Sequence, residues 1–427
     1  SDIDAFNDED YLPPENKTQM ALLFSPTNFE IAGYEGSNLS WDKFAEWYRN
    51  MASDKYSLLP QFKNEIYEII SGLKDTTEIV NALYKHLQTS TRYVAVEPGI
   101  NGWQPHPANE VAEHRYGDCK DLSTYMIAML DVAGIKAYPA LARTSSLGKH
   151  DSSFVNSVFN HCIAVVPLTK DTLWLECTSS YSDINSLPNG IEDISVLVVK
   201  ENSGEFITTP QKNSKQNFMK TKVLGALSVS GDFRFISNID AGGNQKEYVK
   251  TKLEINSKDE NLRYIKSRFG QYSANLKVDE YTIKNKCDDY FSFTFKGYYK
   301  NFSKKSGKRV FINLNLFNRE EKSDIPEEEV EEREYPVFYN YPYIDIDTVE
   351  MRLPKKYSLE TKEGEVKYET PFAYYKSSLK TKDDFLIYVR ELEIKRNRIE
   401  RERYAEYRDF ISNVAKADRK KIILKKN

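Results

Sequence analysis

One cysteine and one histidine stand where their side chains could take part in nucleophilic catalysis. Cys119 follows Asp118 at the predicted start of a helix, where the helix dipole and Lys120 would favour the thiolate and Asp118 would oppose it. A cysteine in this position can equally be a buried structural residue. His161 lies in the run FNHCIAVV, which is followed by LWLECTS, and both runs predict strands. Their pairing decides which side chains can react together.

The two runs predict an antiparallel hairpin with His161 directly opposite Glu176. In this register Val166 faces Asp171 and four residues form the loop, a common length for hairpins. The carboxylate could then hold the tautomer of the imidazole, while the other ring nitrogen takes a proton from a thiol. The pattern therefore predicts a triad of Cys119, His161 and Glu176.

The same register turns Cys162 and Cys177 toward the opposite face of the hairpin. They would be diagonal neighbours, so we expect them to be buried as small apolar residues, and a disulfide between them would need distortion. The fourth cysteine is Cys287. Four cysteines in 427 residues exclude a disulfide-stapled scaffold.

All five histidines fall between His86 and His161, so any imidazole chemistry must come from that part of the chain. We expect His86 to lie on the apolar face of a helix as a core residue. His106 and His114 are expected to be structural or exposed. His150 follows a serine-rich stretch and could border a substrate cleft.

Composition and missing motifs exclude several classes of function. Lysine and arginine number 60 against 64 acidic residues, which gives a net charge of −4 and no basic field for nucleic acid or an anionic membrane. No apolar run approaches the ~20 residues of a membrane helix. There is no CxxC pair or HExxH for a metal, and no GxGxxG or GxxxxGK[ST] for a nucleotide. We therefore expect no metal and no cofactor.

The order of elements predicts an α+β core followed by a β domain. Helical periodicity covers residues 40–90 and then Cys119 to about Ala133, where Gly134 ends the helix. Strands follow at Ala137–Arg143, Phe159–Val166 and Thr172–Thr178. Beyond about Thr209 the chain alternates with period two, which is typical of antiparallel sandwich strands.

We therefore divide the chain into residues 1–39, a catalytic core over 40–210, and a β-rich domain with a terminal helix over 211–427. In the first segment, Met20–Ile31 reads as one strand with nothing before it to pair with. In the last, the acidic run Arg319–Glu334 is expected to be a solvated loop rather than a cation site.

The core contains TRYVAVEPGINGWQPHPANEVAEHRYGDCKDLSTYMIAMLDVAGI before the two strand runs. Together these segments resemble the transglutaminase-like superfamily, in particular bacterial multi-domain proteins with that papain-like core. The resemblance is strongest over Arg92–Ser179. It implies a β domain after the core and a larger one before it, of which only the strand at Met20–Ile31 is present. The sequence, which starts at Ser1 without a leader, is therefore expected to be part of a longer protein.

The resemblance implies roles for the residues already singled out. Cys119 would be the nucleophile, His161 the general base and acid, and Glu176 the orienting acid, a position where the family more often has aspartate. The backbone N–H of Cys119 and a donor from Gln104 or Trp103 would bind the oxyanion. Both loop residues could instead serve only to pack the loop.

The expected function is amide chemistry through a thioester, with a protein or peptide as substrate. Water or an amine would resolve the thioester, so a peptidase, a deamidase and a transglutaminase are all open, and we place the peptidase first because bacterial members look more often hydrolytic. The alternative is a non-catalytic module whose β domain binds a partner in the cell envelope. The resemblance also implies an exported bacterial protein in the periplasm or at the cell surface.

Overall fold

A computed structural model describes residues 9–13, 22–95, 99–147, 151–271, 275–286, 290–327 and 329–426. These residues divide into two compact units. Residues 22–211 form the first unit, and residues 9–13 join residues 212–426 in the second. Among the residues in these ranges, no helix has the length and apolar character needed to cross a bilayer.

In the part of the chain that the structure describes, the first unit combines five helices with a five-stranded antiparallel sheet of order β7-β6-β5-β8-β9. The helices are α1 (Trp41–Ala52), α2 (Pro60–Ile69), α3 (Thr76–Ser90), α4 (Ala108–His114) and α5 (Cys119–Val132). The strands are β1 (Asn28–Ile31), β2 (Tyr34–Ser37), β3 (Arg92–Tyr93), β4 (Tyr116–Gly117), β5 (Tyr138–Ala142), β6 (His161–Pro167), β7 (Thr172–Leu175), β8 (Ser195–Val199) and β9 (Gly204–Thr208). Helices followed by an antiparallel sheet confirm the predicted α+β class.

Helix α5 is the central element of this unit. The side chain of Asp118 caps its N-terminus, and Asp121 completes a capping box by accepting from the N–H of Asp118. Every residue from Lys120 to Leu130 is buried, so this part of the helix is surrounded by protein on all sides. Gly134, with φ of +73°, ends it in the left-handed conformation. The predicted helix is confirmed within one residue.

The hairpin of β6 and β7 forms, but in a different register from the predicted one. Ala164 pairs with Leu175 and Val166 with Leu173, so the pairing is shifted by two residues and the direct pairing of His161 with Glu176 is wrong. Side chains alternate between the two faces of a sheet with period two. A shift of two residues therefore leaves every side chain on the predicted face.

The strand predicted over Met20–Ile31 is wrong for most of its described length. Residues 22–27 form no strand, and Met20 lies outside the described residues. Only β1 is extended, and it pairs with β2, which follows it along the chain. Ala32 and Gly33 join the two strands with φ of +50° and +85°, a pair of values typical of tight hairpin turns.

The second unit is built on an eight-stranded sheet of order β12-β13-β11-β10-β17-β21-β20-β19, with a four-stranded sheet of order β14-β15-β23-β18. Its strands are β10 (Phe218–Leu227), β11 (Phe233–Ala241), β12 (Leu276–Lys286), β13 (Phe291–Tyr299), β14 (Lys304–Ser306), β15 (Arg309–Ile312), β16 (Val337–Phe338), β17 (Tyr343–Arg352), β18 (Tyr357–Leu359), β19 (Gly364–Glu369), β20 (Ala373–Lys382), β21 (Phe385–Ile394), β22 (Arg398–Ile399) and β23 (Ile422–Lys426). Its helices are α6 (Gly243–Ile255), α7 (Lys258–Gly270) and α8 (Tyr404–Asp418).

Two features of this unit differ from the predicted run of antiparallel strands. Helices α6 and α7 interrupt the strands between β11 and β12. In addition, β10 and β17 pair in parallel in the middle of the larger sheet. The predicted β-rich character and the terminal helix, α8, are confirmed.

The acidic run Arg319–Glu334 is not the fully solvated loop that we expected. Arg333 is completely buried and lies 2.9 Å from the carboxylate of Glu9, a residue from the other end of the chain. Glu9 also accepts hydrogen bonds from the N–H groups of Glu334 and Tyr335. A buried ion pair with these additional hydrogen bonds fixes residues 9–13 to the second unit.

The second unit also buries several carboxyl groups around a single arginine, Arg390. Arg390 is buried and binds the carboxylate of Asp418, which also accepts from the hydroxyl of Tyr375 at 2.7 Å. Asp347 lies 3.7 Å from Arg390. Burial raises the pKa of Asp347 to about 7, although Arg390 opposes the shift. Burial likewise raises the pKa of Glu320 to about 7.

These carboxyl groups predict that the second unit loses stability as the pH rises. In the unfolded chain they lose their protons near pH 4, whereas in the folded chain they keep them to about pH 7. Stability should therefore fall from about pH 4 to pH 7 and then level off. We expect hydrogen exchange of β17 and β21, corrected for intrinsic rates, to be faster at pH 8 than at pH 5. Asp347→Asn should reduce this difference, whereas Asp279→Asn, at an exposed site, should not.

Candidate active site

The start of α5, the start of β6 and the end of β7 lie close together in the first unit and bring the predicted triad together. Cys119 is the first residue of α5, His161 is the first residue of β6, and Glu176 directly follows β7. The hydroxyl of Ser123 in α5 donates to the backbone oxygen of Cys162 at 3.1 Å, which ties the start of the helix to the start of the strand. Sequence reasoning thus selected residues that do lie close together.

The imidazole of His161 is hydrogen-bonded to the carboxylate of Glu176. Its Nε2 lies 2.8 Å from Oε2, and since an ionised carboxylate can only accept, Nε2 carries a proton. The other oxygen, Oε1, accepts from the N–H of Thr178 at 3.0 Å and from its hydroxyl at 2.5 Å. Tyr84 donates to the backbone oxygen of Glu176 at 2.7 Å. The carboxylate is therefore held in one orientation.

The two groups stabilise each other's charged forms. Burial alone would lower the pKa of His161, but the charge of Glu176 and hydrogen bonds with Cys119 and Glu176 outweigh it and raise the pKa to about 10. Burial would raise the pKa of Glu176, but the charge of His161 and the hydrogen bonds from His161 and Thr178 hold it below its usual value. The geometry favours an imidazolium and carboxylate pair at neutral pH.

The thiol of Cys119 is the second side-chain partner of the imidazole. Because Glu176 binds Nε2, the nitrogen left for the sulfur is Nδ1. Cys119 itself is half-buried. Within the described ranges the N–H of Cys119 has no hydrogen-bond acceptor, as the caps of α5 use the N–H groups of Lys120 and Asp121. This N–H is free to donate to an oxyanion.

The two charged residues beside Cys119 pair with each other. Lys120 and Asp118 were expected to affect the thiol in opposite senses, but the ammonium of Lys120 binds the carboxylate of Asp118 directly. Both side chains are buried, and their charges compensate each other.

Asp121 is a structural residue of the site that sequence reasoning missed. Its carboxylate is 1 % exposed and accepts from the backbone N–H of His106 at 2.8 Å, from Nδ1 of His106 at 3.0 Å and from the N–H of Asp118 at 3.1 Å. It thus joins the loop before α4 to the first turn of α5. Gly117 is required beside it, since a Cβ there would lie 2.6 Å from the Cβ of Asp121. The spacing of aspartates in GDCKD is the signal that indicates this capping box.

The two candidate oxyanion donors have other contacts. Gln104 donates its side-chain amide to the hydroxyl of Tyr34 at 3.1 Å and to the backbone oxygen of Met51 at 3.3 Å. Trp103 packs edge-on against Trp47, with ring centroids 5.4 Å apart, in the apolar cluster that includes Cys119. For Gln104 these contacts favour the loop-packing alternative, whereas Trp103 packs against the same apolar cluster as Cys119.

The other histidines and cysteines lie outside the triad. His86 is largely buried on α3, 3.7 Å from Glu65, and His114 is exposed and stacks on Tyr116. Cys162 and Cys177 are buried with free thiols, as predicted. His150 and Cys287 lie outside the described residues. Within those residues, no group of three or more histidine, cysteine or carboxylate side chains is placed to hold a metal ion.

Two parts of the chain match known protein families. Residues 64–178, which carry Cys119, His161 and Glu176, match the transglutaminase-like superfamily. Residues 308–424 match a domain of unknown function with a solved structure, DUF3858. The chain therefore contains a transglutaminase-like core followed by a strand-rich C-terminal region. None of the curated proteins compared with the sequence matches it.

One solved structure has a similar fold. It is the crystal structure of a "putative protease" from Parabacteroides distasonis ATCC 8503, which aligns with a TM-score of 0.52 at 11 % identity. The alignment covers 96 % of this chain and 63 % of that one, so this chain spans less than two thirds of the length of its structural neighbour. At this identity the match shows the fold alone.

The contacts of Asp121 predict that its charge stabilises the first unit. In Asp121→Asn an NH2 group, which is a donor, replaces one of the two acceptor oxygens that face these N–H groups. Buried N–H donors then lose their acceptor, at a cost of about 1–3 kcal/mol. The four tryptophans all lie between Trp41 and Trp174, so tryptophan fluorescence during urea unfolding follows this unit. Asp131→Asn, at an exposed position of the same helix, should change the free energy of unfolding by less than about 0.5 kcal/mol. Equal effects of the two variants would contradict this role.

Proposed function

We propose that this chain is a cysteine-dependent amide hydrolase, a peptidase that works through a thioester. Cys119 is the nucleophile, and His161 is the general base and acid. Glu176 orients the imidazole and stabilises its protonated form. The observation that supports this assignment best is the 2.8 Å hydrogen bond between His161 and Glu176, with Cys119 as the other side-chain partner of the imidazole.

In the proposed reactive form, the proton of the Cys119 thiol already lies on Nδ1 of His161, an imidazolium that Glu176 stabilises. The sulfur of Cys119 attacks the amide carbon, and the carbonyl oxygen becomes an oxyanion beside the free N–H of Cys119. The carbon–nitrogen bond then breaks as the imidazolium gives its proton to the leaving amine. The products of this half are an amine and a thioester on Cys119.

Hydrolysis of the thioester repeats the steps with water as the nucleophile. His161 removes a proton from water, the hydroxide attacks the thioester carbon, and the carbon–sulfur bond breaks. The sulfur leaves as a thiolate beside the imidazolium, which restores the reactive form. An amine in place of water would give a new amide, so the same residues could also serve acyl transfer.

The nucleophile assignment predicts selective alkylation of Cys119. Iodoacetamide at neutral pH should modify Cys119 first, as read by intact mass and peptide mapping, because Cys162 and Cys177 are buried. Cys119→Ala should abolish this fast modification, and Cys162→Ala should leave it unchanged. Equally fast labelling of the Cys119→Ala variant would show that another thiol reacts and would contradict the proposal.

The role of Glu176 predicts a slower reaction when its charge is removed. Glu176→Gln keeps the size of the side chain but no longer stabilises the imidazolium, so alkylation of Cys119 at pH 7 should slow by about tenfold or more. Glu205→Gln, in an exposed ion pair with Lys200 on the same sheet, is the matched control and should react at the wild-type rate. An unchanged rate in Glu176→Gln would remove the carboxylate from the mechanism.

A single substrate experiment separates the possible reactions. Wild-type protein and the Cys119→Ala variant are incubated with casein and a primary-amine probe. New peptide termini indicate a peptidase, released ammonia a deamidase, and incorporated probe an acyltransferase. We expect cleavage that depends on Cys119. A reactive Cys119 without any of the three products would instead support a non-catalytic module.

A further inference from the structure

The turn that follows β7 carries Glu176 and is held by helix α3. Tyr84 of α3 donates to the backbone oxygen of Glu176 at 2.7 Å. One turn further along the same helix, the side-chain amide of Gln88 donates to the backbone oxygen of Ser179 at 2.9 Å. The main chain is therefore anchored on both sides of Thr178, so the N–H and the hydroxyl of this residue have a defined place beside Glu176.

The two oxygens of the Glu176 carboxylate have different partners. Oε2 lies 2.8 Å from Nε2 of His161, whereas Oε1 accepts from the N–H of Thr178 at 3.0 Å and from its hydroxyl at 2.5 Å. The last torsion of a glutamate side chain has only broad preferences and would otherwise rotate easily. The two donors of Thr178 oppose this rotation and keep Oε2 directed at the imidazole.

These contacts also depend on the length of the side chain at position 176. The carboxylate of Glu176 extends from the donors of Thr178, two residues further along the chain, to a histidine on the neighbouring strand β6. An aspartate readily accepts from the N–H two residues further on. It is shorter by one carbon–carbon bond of about 1.5 Å, so it could not keep this contact and also reach His161.

We propose that Thr178 is a positioning residue that acts on catalysis through Glu176 and makes glutamate, not aspartate, the effective partner of His161. This role rests on the proposed function, in which the imidazolium of His161 belongs to the reactive form. The hydroxyl of Thr178 stabilises the ionised carboxylate and fixes its direction. The charge of the carboxylate then holds the proton on the imidazole.

Several titratable groups surround Glu176, and the Thr178 hydroxyl is not one of them. They are His161 of β6, Cys119 of α5, the buried thiol of Cys177, and Tyr84 and Lys85 of α3. Burial raises the pKa of Cys177, which therefore stays neutral, and the ammonium of Lys85 binds Asp183. Loss of the Thr178 hydroxyl changes the charge of none of these groups directly. A change in the protonation of His161 then reports how the carboxylate is held.

Titration of the His161 imidazole by NMR in variants of the full chain tests this role. Thr178→Val places a methyl group where the hydroxyl donates, and a methyl group cannot approach a carboxylate oxygen to 2.5 Å. The carboxylate should shift, so that His161 binds its proton about tenfold more weakly and alkylation of Cys119 at neutral pH slows. Thr178→Ser keeps the hydroxyl and should retain the wild-type titration and rate. Glu176→Asp should weaken proton binding although it keeps the charge.

Two comparisons separate positioning from general support of the fold. Thr209→Val removes another buried threonine hydroxyl of the first unit, which donates to the backbone oxygen of Ile194 and accepts from its N–H. This variant should lower the thermal midpoint and leave the titration of His161 unchanged. In the Glu176→Gln background, Thr178→Val should have no further effect on the titration, because the carboxylate through which Thr178 acts is absent.

The result can be distinguished from a failure of the proposed function, since the titration follows a proton and needs no turnover. A raised pKa of His161 that Thr178→Val leaves unchanged, or that Thr209→Val lowers equally, would overturn the role of Thr178 and leave the thiol chemistry intact. A wild-type titration in Glu176→Asp would likewise overturn it. Fast alkylation of Cys119→Ala would count against the nucleophile and not against the positioning of Glu176.

Discussion

The first unit depends on one constraint, which is that the N-terminus of a largely buried helix must meet the first residue of a strand. Residues Lys120–Leu130 of α5 are all buried, so the N–H groups of its first turn that lie inside the protein need partners there. Asp118 and Asp121 supply these partners, and Asp121 also holds the loop that contains His106. With the helix fixed, Cys119 is the residue that emerges beside His161. The position of the thiol is thus a consequence of how the buried helix is capped.

The sequence predicted the site better than it predicted the pairing that forms it. His161 and Glu176 meet although the expected register was wrong by two residues, because strand faces repeat every two residues and the error preserved the face. The helix α5 was predictable from its apolar stripe and from Gly134. The pairing of Lys120 with Asp118 was not, because the sequence indicates which charges are neighbours but not which of them are buried together.

Other elements could not be predicted because the side chains that they bury are polar or charged. Helix α6 buries Asn244, Gln245, Lys246 and Lys250 beside only two apolar residues, so it lacks the stripe by which an amphipathic helix is recognised. The pair of Glu9 and Arg333 joins two strongly charged segments that would each be expected in solvent. The buried arginines of the second unit, Arg390 and Arg333, pair with carboxylates that are distant in sequence. No local sequence pattern indicates such partners.

The central claim is that Glu176 and Cys119 together keep His161 protonated at neutral pH. Its most direct test is the titration of the His161 imidazole by NMR on histidine-labelled protein, with the signal assigned by its loss in His161→Asn. The account predicts a pKa of about 10 in the wild-type protein, and a lower pKa in both Glu176→Gln and Cys119→Ser. An imidazole that titrates near its ordinary pKa of 6.5, unchanged by either substitution, would contradict it.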